Sequence, residues 1–263
     1  MNNYKHKRTK RLVTVLIFFF LTPAAYADGL KVLAENYPPF SYEENGVVTG
    51  FDIEILENLI RDSGVKQVGK ARIYPWSRAY KTIQKEPDII VVNMARTEAR
   101  DALFKWIGPT CPREIWLFKL KSRKDIKINS LEDAKKYRIG SMLGSTSTKE
   151  LINNGFAKGK NLDLVFDERL NLLKLIKGRV DLITFLKFEM SWRLKRLMHS
   201  TDTRIPAIGI NDVEPAYLLS DKYQYYFAFS KQVPDSTISK LQNALDTMKK
   251  DGRYEKIWKK YME

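Results

Sequence analysis

Asp88-Ile89-Ile90-Val91-Val92, followed at once by Asn93-Met94-Ala95-Arg96-Thr97-Glu98-Ala99-Arg100, is the stretch on which the fold turns. An unbroken apolar run of this kind marks a strand covered on both faces, as in parallel sheets flanked by helices. Upstream, Gly29 to Glu35 holds a short apolar strand, and Tyr37-Pro38-Pro39-Phe40 reads as a loop because two prolines break helix and ladder alike. Asp52 then suits the N-cap of a helix in which Phe51, Ile55, Leu56, Leu59 and Ile60 keep helical spacing until Gly64. Ala71 to Tyr74 reads as a strand and Trp76 to Lys85 as a helix. The order βαβαβ predicts a parallel sheet with helices on its faces.

Beyond this unit the chain crosses in extended form at Ile115-Trp116-Leu117-Phe118 into a more basic segment, Lys119 to Lys127. A second α/β unit follows, with strands at Arg138–Met142, Leu162–Phe166 and Val180–Phe185. Its helices are read at Thr148–Asn153, Leu170–Lys177 and Phe188–Met198. Tyr223 to Ser230 is again extended. A helix from Asp235 and a shorter one carrying Tyr254, Ile257, Trp258 and Tyr261 close the chain. Two extended crossings around a central unit predict two lobes joined by two strands: 28–118 with 223–263, and 119–222. No internal repeat or low-complexity linker interrupts them.

The first 27 residues read as a secretory leader. Lys5, Lys7, Arg8, Lys10 and Arg11 precede the apolar Leu12–Leu21, and Ala25-Tyr26-Ala27 is a small-x-small cleavage site. The apolar run falls short of the ~20 residues a membrane span needs. Without the leader's five basic residues, 41 Lys/Arg stand against 31 Asp/Glu, so the mature chain carries about +10. Part of that charge is a solvated helical face (Lys249, Lys250, Lys256, Lys259, Lys260). The rest favours an anionic membrane face or anionic small molecules, since no nucleic-acid motif accompanies it. Cys111 is the lone cysteine and His199 the lone histidine outside the leader, so an internal disulfide and a His/Cys metal centre are excluded. A Ser-His-Asp triad would rest on His199 alone, and no cofactor is expected.

Three segments place polar groups beyond the carboxyl ends of strands, where a parallel α/β sheet holds its ligands. Asn93 to Arg100 offers the guanidiniums of Arg96 and Arg100 and the Thr97 hydroxyl for a carboxylate or phosphate. The plain alternative is that the arginines pair with Glu98 and Asp101 on the surface. Gly144-Ser145-Thr146-Ser147 opens a helix with a capping box at Ser147 and Glu150, and its free N–H groups make an anion seat with Ser145 and Thr146 as donors. Tyr37, Phe40 and Trp76 supply rings that could sandwich a ligand, although Phe40 reads as core.

With these pieces in order, the chain resembles the type II extracellular solute-binding proteins, in the branch serving polar amino acids for ABC transporters. The resemblance rests on Glu35-Asn36-Tyr37-Pro38-Pro39-Phe40, Gly50-Phe51-Asp52, Trp76, Thr97-Glu98-Ala99-Arg100, Gly144-Ser145-Thr146, Gly178-Arg179-Val180-Asp181 and Gly252-Arg253-Tyr254. It implies a two-lobe α/β fold like that of periplasmic binding proteins, with mostly parallel sheets and a two-strand hinge. It implies a non-enzymatic, monomeric periplasmic protein that hands a small solute to a membrane permease. Arg100 would grip a ligand carboxylate, supported by Thr97 and the backbone near Asn93 and Ala95. Thr146 and Ser145 would close from the second lobe, and Tyr37 and Trp76 would form the ring walls. Two departures stand out. The position of the acid that takes an α-amino group, five after Asp181, is Leu186. Arg96 and Arg78 add cations. Both point to a carboxylate without an amine, or a more anionic solute. A dehydratase-like enzyme using Glu189 in the cleft, and a sensing domain without a transporter, remain the alternatives.

Overall fold

The structure is a computed structural model that describes residues 29–166, 168–198 and 208–262. The expected leader and the His199 segment lie outside the described residues. The chain begins with β1 (Lys31–Ala34), β2 (Tyr42–Glu44), β3 (Val47–Thr49), α1 (Phe51–Ser63), β4 (Arg72–Ile73), α2 (Trp76–Lys85), β5 (Ile89–Ala95), α3 (Glu98–Asp101) and β6 (Lys105–Pro112). It continues through β7 (Ile115–Leu120), β8 (Ile139–Met142), α4 (Thr146–Asn153), β9 (Leu162–Val165), α5 (Glu168–Ile176), β10 (Leu182–Leu186), α6 (Lys187–Met198) and β11 (Val213–Ser220). It returns with β12 (Gln224–Phe229), α7 (Asp235–Lys250) and α8 (Arg253–Met262).

These strands form two five-stranded sheets, ordered β4-β1-β5-β12-β6 and β11-β7-β10-β8-β9. The chain passes from the first sheet to the second at Arg113-Glu114 and back at residues 221–223. In each sheet one strand opposes the rest: β12 is antiparallel to β5 and β6, and β7 to β10 and β11. The cause is topological. β7 and β12 are the strands that enter from the other lobe, so they start at the end where their neighbours finish. The two-lobe, mostly parallel α/β architecture follows from that arrangement.

Alternate residues of β5 serve two cores. Ile90 and Val92 pack with α1 and α7 residues such as Leu59 and Leu245, whereas Ile89 and Val91 pack with Ala79 and Ile83 of α2. Each such buried side chain contributes about 1.5–3 kcal/mol relative to exposure. Phe51 fixes the opening of α1, its ring edge-on to Phe40, Tyr254 and Trp258 at 5.6–6.5 Å.

Several local details differ from expectation. The N-cap of α1 is Gly50, not Asp52. The carbonyls of Pro39 and Phe40 accept the N–H groups of Phe51 and Asp52, each at 2.9 Å, which does the work of a side-chain cap. Gly50 is required there: its φ is 125°, and a Cβ would stand 2.5 Å from the Phe40 carbonyl oxygen. The cap of α4 is Ser145, which accepts from the Thr148 N–H at 3.1 Å, so the cap falls two residues before the expected Ser147. β5 runs on through Asn93 to Ala95, so those residues are strand rather than the loop after it. The β2–β3 hairpin, turned by Asn45 (φ 52°) and Gly46 (φ 75°), was announced by an Asn-Gly pair that the periodicity argument passed over. β6 and β11 were also unforeseen. Both are edge strands carrying proline, the place where a sheet tolerates it.

Candidate functional site

Between the two sheets lies a cleft of about 1050 Å³ lined from both lobes. The first lobe supplies Glu35, Tyr37, Trp76, Asn93, Ala95, Arg100 and Tyr225 to its wall, and the second supplies Ser145, Thr146, Phe166, Trp192 and Arg193. Arg113, in the passage between the sheets, also faces it.

The loop after β1 puts Tyr37 over Phe40, with ring centres 5.6 Å apart, and the Tyr37 amide is held by the Ser41 carbonyl at 2.6 Å. Phe40 itself is core, with no exposed surface. At the end of β5, Asn93 sits at φ 57° beside a register shift in the β5–β12 ladder. Left-handed backbone is a conformation that asparagine tolerates. Both polar atoms of its side-chain amide are buried at the cleft wall without a hydrogen-bond partner among the described residues. Such a group is expensive unless something bonds to it.

Arg100 closes the single turn of α3 and swings back to the cleft. Its Nη1 donates to the Ala95 carbonyl at 3.1 Å, and the guanidinium lies 5.1 Å from the Trp76 ring centre and 5.3 Å from that of Tyr80. No carboxylate among the described residues pairs with it. Burial, the largest influence, lowers its pKa. Opposite, the amino end of α4 carries a chain of hydroxyls. Ser145 Oγ meets Ser147 Oγ at 2.8 Å, and Thr148 Oγ1 donates to Ser141 Oγ at 2.7 Å. Thr146 Oγ1 accepts from Nη2 of Arg113.

Three expected residues stand off this wall. Arg78 is exposed on the outer side of α2, its guanidinium 4.7 Å from the Tyr74 ring centre. Arg96 is exposed and paired with Asp101 at 2.5 Å, the plain surface reading. Thr97 serves α3 with its backbone: its carbonyl accepts from the Arg100 and Asp101 amides, each at 2.9 Å. Its side chain does not line the cleft.

Four residues that went unforeseen bear on the chemistry of the site. Glu35 is a cleft acid whose pKa is pushed up to about 7 by burial, with Glu189 adding repulsion. Arg113 is 7% exposed and bonds the Tyr225 hydroxyl. Tyr225 in turn bonds Tyr37, and burial raises the pKa of both phenols. Arg193 lines the second lobe and pairs with Glu189 at 2.6 Å. Leu186 is buried at the end of β10 and offers no charge, as its type dictates. Acidity reaches the cleft from Glu35 instead, which removes the ground for excluding an amine. Glu189 is 1% exposed, and its pKa is raised by burial against the opposing pull of Arg193. It stands behind the wall, locked to Arg193 and Tyr37, and is not a free acid facing the cleft.

Two α/β lobes, a double passage between them and a polar, ring-walled cleft define a hinged solute-binding protein. The chain belongs to the bacterial extracellular solute-binding proteins, family 3, whose model matches residues 30–263. It is 27% identical over 228 residues to the probable amino-acid-binding protein YxeM of Bacillus subtilis, covering 85% of this chain and 79% of that one. It is 25% identical to the arginine-binding periplasmic protein of Mannheimia haemolytica, with 96% and 98% covered. An ancestral arginine-binding protein bound to arginine superposes with a TM-score of 0.72 at 25% identity, covering 90% of this chain and all of that one. By family and by architecture the chain is a solute-binding protein.

Proposed function

We propose that the chain captures an amino acid between its lobes in the periplasm, after removal of a leader ending at Ala27, and presents it as a monomer to an ABC permease. The observation that carries this reading is the convergence of unpaired polar groups on one cleft. Arg100 and Asn93 wait on the first lobe, and the hydroxyl-rich amino end of α4 faces them from the second. A carboxylate accepts from the guanidinium and from the helix N–H groups at once. An ammonium finds Glu35, and a side chain lies against Tyr37 and Trp76. A ligand that contacts both lobes stabilises the closed arrangement, and the two passages at residues 113–114 and 221–223 absorb the motion. The permease then reads the changed surface. Names of relatives support an amino acid as the solute class, and the cleft supports a carboxylate as its fixed feature.

The test is thermal unfolding of residues 28–263 with a panel of amino acids, amine-free dicarboxylates and small phosphorylated compounds. A ligand at 100 times its dissociation constant adds about 2.7 kcal/mol to the folded state and raises the midpoint. A shift with one or more amino acids supports the reading. Shifts confined to phosphorylated or amine-free compounds sink it.

A further inference from the structure

Arg113 is a cation whose surroundings do not account for it. It belongs to the short passage between β6 and β7 and is 93% buried, at 7% exposure. Its guanidinium donates to Thr146 Oγ1, bonds the Tyr225 hydroxyl and lies 5.8 Å from the Tyr225 ring centre. Among the described residues no carboxylate pairs with it. Thr146 is the first residue of α4, so the partner of this cation is the positive end of a helix dipole. Like meets like there, and a buried guanidinium without a counter-charge is costly. Other cations on the cleft wall are answered, Arg193 by Glu189 at 2.6 Å and Arg196 by Glu44 at 3.3 Å. Arg100 and Arg113 are not. An anion placed between Arg113 and the α4 amino end satisfies both at once.

With Glu43 and Arg169 exposed to solvent and Glu168 bonded to Asn171, the cleft offers two unanswered guanidiniums and one further acid, Glu35. A neutral amino acid brings one carboxylate and one ammonium and leaves one guanidinium bare. A basic amino acid adds a second positive charge beside it. We propose that Arg113 is a specificity-determining residue, and that the solute is an amino acid with an acidic side chain. Two carboxylates answer Arg100 and Arg113, and the ammonium answers Glu35, so the three charges of the site and the three of the solute cancel pairwise. This rests on the reading that the cleft holds an amino acid, and it narrows that class.

The experiment is isothermal titration at pH 8, where Glu35 is ionised, of glutamate, aspartate, glutamine, arginine and glutarate. The proteins are residues 28–263 of the parent, Arg113→Met and Arg113→Lys. An acidic amino acid should bind the parent tighter than glutamine by roughly tenfold or more, as charge-assisted pairs in a closed site do. Arg113→Met should bring that ratio close to one by weakening the acidic amino acid far more than glutamine, and Arg113→Lys should fall between. If Arg113→Met fails to fold, the parent ratio and the lysine variant decide. Tighter binding of glutamine or arginine than of either acidic amino acid overturns the proposal, as does a ratio indifferent to Arg113. Glutarate equal to glutamate overturns the part given to Glu35. Binding of a neutral or basic amino acid alone leaves the broader amino-acid reading standing, whereas silence from every amino acid takes both down.

Discussion

Asp52 should make this protein lose stability as pH rises, and Asp52→Asn should abolish that loss. The carboxyl group is fully buried in the first turn of α1, and neither Oδ atom has a hydrogen-bond partner of good geometry among the described residues. Thr110 lies nearby and eases the burial only in part, its hydroxyl donating to the Tyr225 carbonyl at 3.2 Å. Burial thus pushes the Asp52 pKa from 3.8 up to about 8. Between those values the folded chain holds a proton that the unfolded chain has released. Stability present in acid is therefore lost as pH rises, at ~1.4 kcal/mol per pH unit from this group. By pH 7 the accumulated loss is on the order of 4 kcal/mol, and it levels off above pH 8. Asparagine cannot ionise, so whatever its fixed cost, its contribution is flat in pH. Urea denaturation of both proteins at half-unit steps from pH 4.5 to 8.5 gives the difference curve. Glu35, also raised, titrates alike in both and cancels from it. The difference should climb in favour of the variant by roughly 1.4 kcal/mol per pH unit and then level off. Parallel stability curves would mean that Asp52 is ionised in the folded state, and the burial argument would be refuted.

Three further outcomes are expected. Phe51→Ala removes a ring with no exposed surface and three edge-on aromatic neighbours, and should cost about 3–5 kcal/mol in urea denaturation; a loss under ~1 kcal/mol would show that the site collapses freely. Glu189→Ala strands Arg193, whose side chain is 13% exposed, and should cost about 3–5 kcal/mol, with most of that recovered when Arg193→Met is added. Equal losses in the single and double variants would deny the pair its role. The Cys111 thiol, 1% exposed and raised in pKa by burial, should ignore a disulfide reagent in the native state and react once per chain in urea. Rapid native reaction would place it at the surface.

The legibility of this fold varied with position in its sheets. The α2 helix could be read to the residue at both ends and the β5 run to within one residue at its start, because a strand buried on both faces and a helix with a clear stripe write their period into the chain. Edge strands β6 and β11 could not, since one side of each needs no ladder partner and proline enters freely. At the cleft, motif spacing found Arg100, Tyr37 and Trp76. It also promoted Arg78, yet residues two apart on a helix point about 200° apart, so with Trp76 inward Arg78 faces out. Arg113 has no local signal at all. It is a lone basic residue between two strands, and its importance arises only when the passage brings it beside α4, 33 residues later in the chain. Glu35 was read within a loop motif, and its acidity became relevant only when Leu186 proved to be buried and uncharged.

The most direct test of the central claim is calorimetric titration of the parent and Arg100→Met with the amino acid found by thermal shift and with its α-carboxamide analogue. A carboxylate held by Arg100 predicts that the parent binds the acid far more tightly than the carboxamide, and that the variant binds both weakly and about equally. An Arg100→Met protein that keeps the parent's affinity and its preference for the carboxylate would contradict the account.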